Sequence, residues 1–307
     1  MSKYQTIGFL VCDLRQLYMA KYLANKGFYI NIICSESISR QKEYKDTILE
    51  LLNKNDRTNI RVTYDIDEII YTSNIIVTPV PFDKISEFIT IPKFVSKISK
   101  KNDLSMFLLY AGLINEESRN LLDNNHIKYI DYTKSEKLAI FNSISTAEGI
   151  IAEAIISKNT NLHHSKVLVL GYGKCGKTLA WKLKNLDAKV TVCARKEEDL
   201  EAAYSMGLNT LYLHNLIMEI GKYDYIFNTI PILILNEEII KKINPDAIIL
   251  DIASNPGGVD KNAASQYGII VKHVLGIPGK YAPKSSGEEM AKELINIMNK
   301  RKQGLHN

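Results

Sequence analysis

One stretch constrains this chain more than any other. Residues 167–176, VLVLGYGKCG, carry an apolar strand directly into Gly171-x-Gly173-x-x-Gly176 and from there into a helix. That succession predicts the first βα turn of a dinucleotide-binding fold. Gly171 permits the tight turn, Gly173 lets the backbone approach a pyrophosphate, and Gly176 lets helix and strand pack closely. The expected cofactor loop is therefore Gly171, Tyr172, Gly173, Lys174, Cys175 and Gly176. Its flanks supply the context a bare glycine motif lacks: residues 174–186 read as a helix, and residues 189–193 as a second apolar strand ending in Ala194-Arg195-Lys196. A site for NAD usually places a carboxylate there for the ribose 2′-hydroxyl, whereas Arg195 with Lys196 would neutralise a 2′-phosphate. The pattern predicts NADP(H) rather than NAD(H).

The rest of the chain repeats the same alternation. Its 307 residues suffice for two domains with separate cores. Strand 6–11 leads to a helix ending near Gly27 and then to strand 29–33; apolar segments at 75–80, 104–110 and 127–130 alternate with polar helical stretches, and residues 40–57 read as a charged surface helix with a loop. Ser145 followed by Glu148 reads as a capping box opening a long helix through Ile156. Beyond it come strands at 167–170, 190–193, 225–228, 248–251 and 269–274, then an amphipathic helix over about 286–300 that returns to the first domain, and a frayed tail at 303–307. The fold class expected is α/β, with an N-terminal flavodoxin/Rossmann-like α/β domain (1–142), a C-terminal NAD(P)-binding Rossmann fold with a doubly wound parallel sheet (143–285) and a returning helix (286–307).

Bulk properties narrow the function classes. Lys and Arg exceed Asp and Glu by 39 to 34, a mild excess without a basic stripe, so nothing points to nucleic acid. No uninterrupted apolar run of membrane-spanning length is evident, and the first strand meets Asp13 and Arg15 at once, unlike a signal peptide; the expected location is the cytoplasm. Cys12, Cys34, Cys175 and Cys193 show neither a CxxC pair nor ligand spacing with histidine, so reduced thiols and no metal site are expected. Cys175, at a helix start, could be a thiolate, but a small residue fitted into the turn is the simpler reading.

In an open parallel sheet, ligands sit beyond the carboxyl ends of the strands. That rule adds Thr229, Ile230 and Pro231, then Ala253, then Gly279 to the cofactor candidates. For an anionic substrate the candidates are Asp13 and Arg15 after the first strand, Asn142, Ser143, Thr146 and Glu148 at the domain crossing, and Ser254 and Lys284 in the strand-end loops, with Arg15 as a bidentate clamp for a carboxylate. The simpler alternatives are a helix cap for Asp13, a solvated Arg15 and a capping box for Glu148. No catalytic residue is identifiable: His126, His163, His164, His214 and His273 lack a partner pattern for a proton relay.

Taken together, GYGKCG, ARK, NTIP, LDIASNPGGVD and GIPGKYAPKSSG, in this order, resemble the dipicolinate synthase A subunit family of endospore-forming bacteria. Asp13-Leu14-Arg15-Gln16, Phe141-Asn142-Ser143 and Thr146-Ala147-Glu148-Gly149 extend the resemblance over nearly the whole chain, while Asn255 stands where that family commonly has arginine. The resemblance implies oxidation of a dihydrodipicolinate-type ring to pyridine-2,6-dicarboxylate by NADP⁺ in the mother cell during sporulation. It also implies a homo-dimer within a hetero-oligomer, whose other component is a flavoprotein-like B subunit. Two rivals stand beside it. A D-2-hydroxyacid dehydrogenase shares the two-domain plan but needs an arginine and a His-carboxylate relay from the cofactor domain, and no arginine lies between Arg195 and Arg301. A non-catalytic NADP(H) sensor or scaffold needs only the cofactor loop.

Overall fold

A computed structural model describes residues 5–36, 42–53 and 59–303. They fall into two units, one built from Met1–Ala139 and Pro283–Asn307, the other from Ile140–Ala282. Each unit is a six-stranded parallel sheet. In unit 1 the strands are β1 (Thr6–Val11), β2 (Tyr29–Cys34), β3 (Ile60–Val62), β4 (Ile75–Val77), β5 (Leu108–Ala111) and β6 (Tyr129–Asp131), in the order β3-β2-β1-β4-β5-β6. Unit 2 holds β7 (Lys166–Leu170), β8 (Lys189–Ala194), β9 (Asn209–Tyr212), β10 (Tyr225–Asn228), β11 (Ile248–Asp251) and β12 (Ile270–His273), in the order β12-β11-β10-β7-β8-β9. Both orders are doubly wound, and unit 1 follows the Rossmann rather than the flavodoxin order. The strand order reverses between β1 and β4 in one sheet and between β7 and β10 in the other, which is where such sheets open a ligand crevice.

Central strands are apolar runs rather than alternations because helices cover both faces. Ile7, Phe9, Leu10 and Val11 are fully buried, as are Val167, Leu168, Val169 and Leu170, each contributing about 1.5–3 kcal/mol of burial. The helices are α1 (Leu14–Asn25), α2 (Lys42–Asn53), α3 (Ile66–Thr72), α4 (Ile91–Ser99), α5 (Glu116–Asn124), α6 (Glu136–Ser157), α7 (Lys174–Lys184), α8 (Glu197–Ser205), α9 (Leu216–Glu219), α10 (Glu237–Ile240), α11 (Lys261–Gln266), α12 (Ile277–Tyr281) and α13 (Pro283–Lys302). In unit 1, α13 lies on α1: Met290, Ala291, Leu294 and Met298 share a core with Leu17, Ala20 and Leu23. Gly287 permits the approach, since a Cβ there would meet the Arg15 carbonyl oxygen. Residues 40–41 and 54–57 of the expected charged helix, and 304–307 of the tail, lie outside the described residues.

One sequence expectation is corrected, and two further features emerge from the structure. The helix assigned to a capping box at Ser145 starts earlier, after Ser135, whose hydroxyl accepts from the Leu138 amide at 3.4 Å; Ser145 is buried in mid-helix and Glu148 pairs with Lys182. An S-x-x-E spacing suits a helix interior as well as its start, so it does not locate an end. β3 and β9 carry no clear sequence signal because they are short edge strands with mixed exposure. Lastly, α6, 22 residues with hydropathy 1.3, meets the length and composition of a membrane span. Its polar residues interrupt the apolar run, and its Ala147, Ile150, Ile151 and Ala154 lie in the core of unit 2.

Candidate functional site

The glycine turn in unit 2 divides its labour as steric arguments require. Gly171 has φ +93°, a conformation that side chains rarely adopt, and a Cβ there would lie 2.5 Å from the Thr229 hydroxyl. At Gly176 a Cβ would run into the Gly171 carbonyl oxygen, so strand and helix can close only around a hydrogen. Gly173 is different: a Cβ would meet nothing within 4 Å. A side chain there would face open space, so the fold itself does not require glycine at this position. Gly173 occupies the N-cap of α7, where no side chain caps the helix, so first-turn amides and the helix dipole face that space and favour an anion. These residues fit a dinucleotide pyrophosphate.

Around the turn, Thr229 fastens β10 to β7 by donating to the Leu170 carbonyl at 2.8 Å. Ile230 is half-buried and Pro231 exposed, and the Ile230 amide bonds Asn228 Oδ1 at 3.1 Å. After β8, Arg195 and Lys196 are both exposed, and neither makes an ion pair among the described residues; Lys196 is the N-cap residue of α8, whose first turn carries Glu197, Glu198 and Asp199. Tyr172 is buried with Lys177 over its ring. Lys174 opens α7 and is exposed. Burial pushes the Cys175 thiol up despite nearby Lys174, so the thiolate alternative falls.

At the carboxyl ends of β10, β11 and β12 lies a network that sequence reading does not reveal. Asp251, fully buried, accepts from Asn228 Nδ2 at 2.9 Å and from the amides of Ala253 at 3.1 Å and Gly258 at 3.2 Å. It fixes the Ala253–Gly258 loop, in which Ala253 is buried and Ser254 exposed. His273 also has partners: its Nε2 lies 3.1 Å from the Ala253 carbonyl and its Nδ1 3.1 Å from Lys261 Nζ. Since a carbonyl only accepts, Nε2 carries the proton and Nδ1 accepts from the ammonium. Residues far apart in sequence make this contact, and no local spacing signals it. Among the described residues, no group of three or more His, Cys, Asp and Glu converges as a metal site would require.

The substrate candidates separate into free and occupied groups. On α6, Ser143 is buried, donates to the Ile140 carbonyl at 2.6 Å and lies 2.8 Å from the Thr178 hydroxyl on α7; it joins two helices and is corrected to a structural role. Glu148 is exposed but bonded to Lys182 at 2.9 Å. Asn142 and Thr146, one helical turn apart, are half-buried. In unit 1, Asp13 caps α1 by accepting from the Arg15 amide at 2.8 Å, and it also takes Arg15 Nε at 3.1 Å and Nη2 at 2.8 Å. Burial opposes the Arg15 charge, but the Asp13 carboxylate more than restores it. Arg15 is thus half-neutralised rather than a free cation. Lys284 is exposed in the first turn of α13.

Gly279 lies in α12, which is pinned to α6. A Cβ at Gly149 would strike Ile277 and Tyr281, so the two helices touch backbone to side chain there. Beside this contact Glu153 accepts from Lys280 Nζ at 2.7 Å and from the Tyr281 hydroxyl, with Lys272 Nζ 3.5 Å away. Bonds from Lys280 and Tyr281 hold its carboxyl down to about 2, against burial. A folded value below the ordinary 4.5 means a contribution complete above pH 4.5 and lost as pH falls toward 2. Glu153→Gln is expected to cost about 1–2 kcal/mol at neutral pH, allowing for solvent screening. Thermal melts of both proteins should converge as the pH falls through that window; a gap that stays constant would show that the charge is not the cause.

Comparison with known proteins agrees with this geometry. Residues 137–263 match the family described as D-isomer specific 2-hydroxyacid dehydrogenase, NAD binding domain. The A subunit of dipicolinate synthase from Bacillus subtilis (strain 168) is 35% identical over 191 residues, a stretch covering 62% of this chain and 64% of that protein, just under two thirds of its length. Among solved structures, the dipicolinate synthase A subunit from Bacillus halodurans has a TM-score of 0.80 at 25% identity, over 95% of this chain and 97% of that one. Its counterpart from Bacillus subtilis gives a TM-score of 0.80 at 26% identity, over 98% of each. The resemblance carried by the sequence motifs therefore extends to the fold, and unit 2 is a nicotinamide-dinucleotide-binding domain of the dehydrogenase type. The chain is similar to the dipicolinate synthase A subunit, in sequence over 191 residues and in fold over nearly its whole length.

Proposed function

We propose that this protein oxidises a dihydropyridine-2,6-dicarboxylate, dihydrodipicolinate, to dipicolinate with NADP⁺ as acceptor. The observation that carries the cofactor choice is the open glycine turn at Gly173 with Arg195 and Lys196 at the next strand end, neither in an ion pair among the described residues; the substrate class is supported by the names of the relatives. Bound NADP⁺ supplies a hydride acceptor at nicotinamide C4. The ring gives up one hydride and one proton and becomes aromatic, so the reaction balances without a further oxidant. Aromatisation favours the step, and the task left to the chain is to place the ring and exclude water.

In this reading the Asp251 network holds the Ala253–Gly258 loop rigid beside the cofactor turn. Asn142, Thr146 and Ser254 of unit 2 are the groups offered to substrate carboxylates. A dipicolinate synthase B subunit is the proposed partner, with a homo-dimer within the hetero-oligomer, in the mother-cell cytoplasm. The test is turnover: the purified chain, alone and with that partner, is mixed with freshly generated dihydrodipicolinate and NADP⁺, and both products are followed. Equal amounts of dipicolinate and NADPH are expected. NADP⁺ binding without either product would instead support a sensor or scaffold.

A further inference from the structure

Unit 1 contains a cavity of about 650 Å³ at the β5–β6 edge of its sheet, under the last turns of α13. Its floor is apolar, from Leu108, Ile130 and Ile297, and its rim carries Lys128, Lys300 and Arg301. A second cavity of about 390 Å³ shares Lys128 and Arg301 as walls. We propose that the larger cavity binds a small amphipathic carboxylate, with Arg301 and Lys128 holding the anionic head and the Leu108, Ile130 and Ile297 side chains receiving an apolar ring or chain.

The cations at this cavity are uncompensated among the described residues. Two carboxylates line the same cavity, Asp131 and Glu293, and both are already engaged. Asp131 pairs with Arg119 at 3.2 Å and accepts from the Leu113 and Thr133 amides, each at 3.2 Å. Glu293 accepts from Ser135 at 3.0 Å and lies 3.7 Å from Lys137. Among the described residues no carboxylate pairs with Lys128, Lys300 or Arg301. Arg301 Nη2 reaches only the Phe107 carbonyl, at 3.4 Å, which is the long limit of a hydrogen bond. Burial holds this guanidinium below its ordinary range, a cost that an anion would offset.

A helix dipole accounts for a cation in the last turn of α13, but not for Lys128, which arrives from the loop before β6 on a different element. Two cations from separate elements over one apolar floor match a ligand with an anionic end and an apolar body. Leu108 and Lys128 line it at the amino ends of β5 and β6, and Asp131, Tyr132 and Ser135 at and beyond the carboxyl end of β6, so the cavity runs along this edge of the sheet.

The test uses benzoate as probe, with inorganic phosphate as head alone and benzyl alcohol as body alone, titrated calorimetrically into the full chain. Saturable benzoate binding is expected, at least tenfold tighter than either partial probe. Arg301→Gln should weaken it at least tenfold and Lys128→Gln about threefold. Ile297→Trp, which fills the floor and leaves the charges in place, should abolish it. The thermal melts of Arg301→Gln and Lys128→Gln should match the wild type, which reports an intact unit 1. Absence of saturable benzoate binding, phosphate binding as tight as benzoate, or unaltered benzoate affinity in Arg301→Gln would each overturn the assignment.

Discussion

Replacing Gly173 by valine is expected to weaken dinucleotide binding by about 100-fold or more, while costing the fold under about 1 kcal/mol. The small stability cost follows because φ at Gly173 is −73° and a Cβ meets open space. The binding loss follows because that space is where a pyrophosphate would accept from the first-turn amides. Hydrogen bonds to a charged group contribute about 1.5–3 kcal/mol each, so losing two is ample for the effect. Gly176→Val should behave in the opposite way. Its Cβ would strike the Gly171 carbonyl, backbone that cannot turn aside, so a stability loss of about 1–3 kcal/mol is expected before any ligand is added. The single tryptophan of the chain, half-exposed Trp181 on α7, provides a fluorescence reporter for NADPH titration, and calorimetry reports the melts. Wild-type affinity in Gly173→Val would remove the turn from the cofactor site.

Arg195→Ala is expected to raise the Kd for NADP⁺ by about 10- to 100-fold and to leave that for NAD⁺ within about twofold, since a guanidinium bonded to a 2′-phosphate contributes about 1.5–3 kcal/mol. Lys196→Ala should have the smaller effect, because an ammonium acts as a point charge without the planar fork. Both side chains are exposed, so NADP⁺ affinity of the wild type should also fall with added salt. Parallel titrations with the two cofactors decide the matter. Equal weakening of both would place Arg195 at the shared part of the dinucleotide, and no change in either would return the cofactor preference to NAD(H).

Much of unit 2 is legible in the sequence because its causes are local. A glycine that must adopt positive φ, a carbonyl that leaves no room for a Cβ, and apolar runs covered on both faces are all properties of neighbouring residues, so Gly171, Gly176 and the β7, β10 and β11 strands are readable in one dimension. The same holds for Asp13 as a cap, whose partner amide is two residues away. What tertiary structure decided is which polar groups remain available. Ser143 reads as a free hydroxyl until Thr178 of α7 takes it. Arg15 reads as a clamp until the side chain of Asp13, already capping α1, neutralises it. His273 reads as partnerless until the sheet brings the Ala253 carbonyl and Lys261 to its two nitrogens. The sequence by itself determined the fold class and the geometry of the glycine turn, because backbone sterics and hydrophobic periodicity act over a few residues. Only the folded chain decided the occupancy of each donor and acceptor and the cations left unpaired over the Ile297 cavity, because those depend on which distant elements the sheets bring within hydrogen-bonding distance.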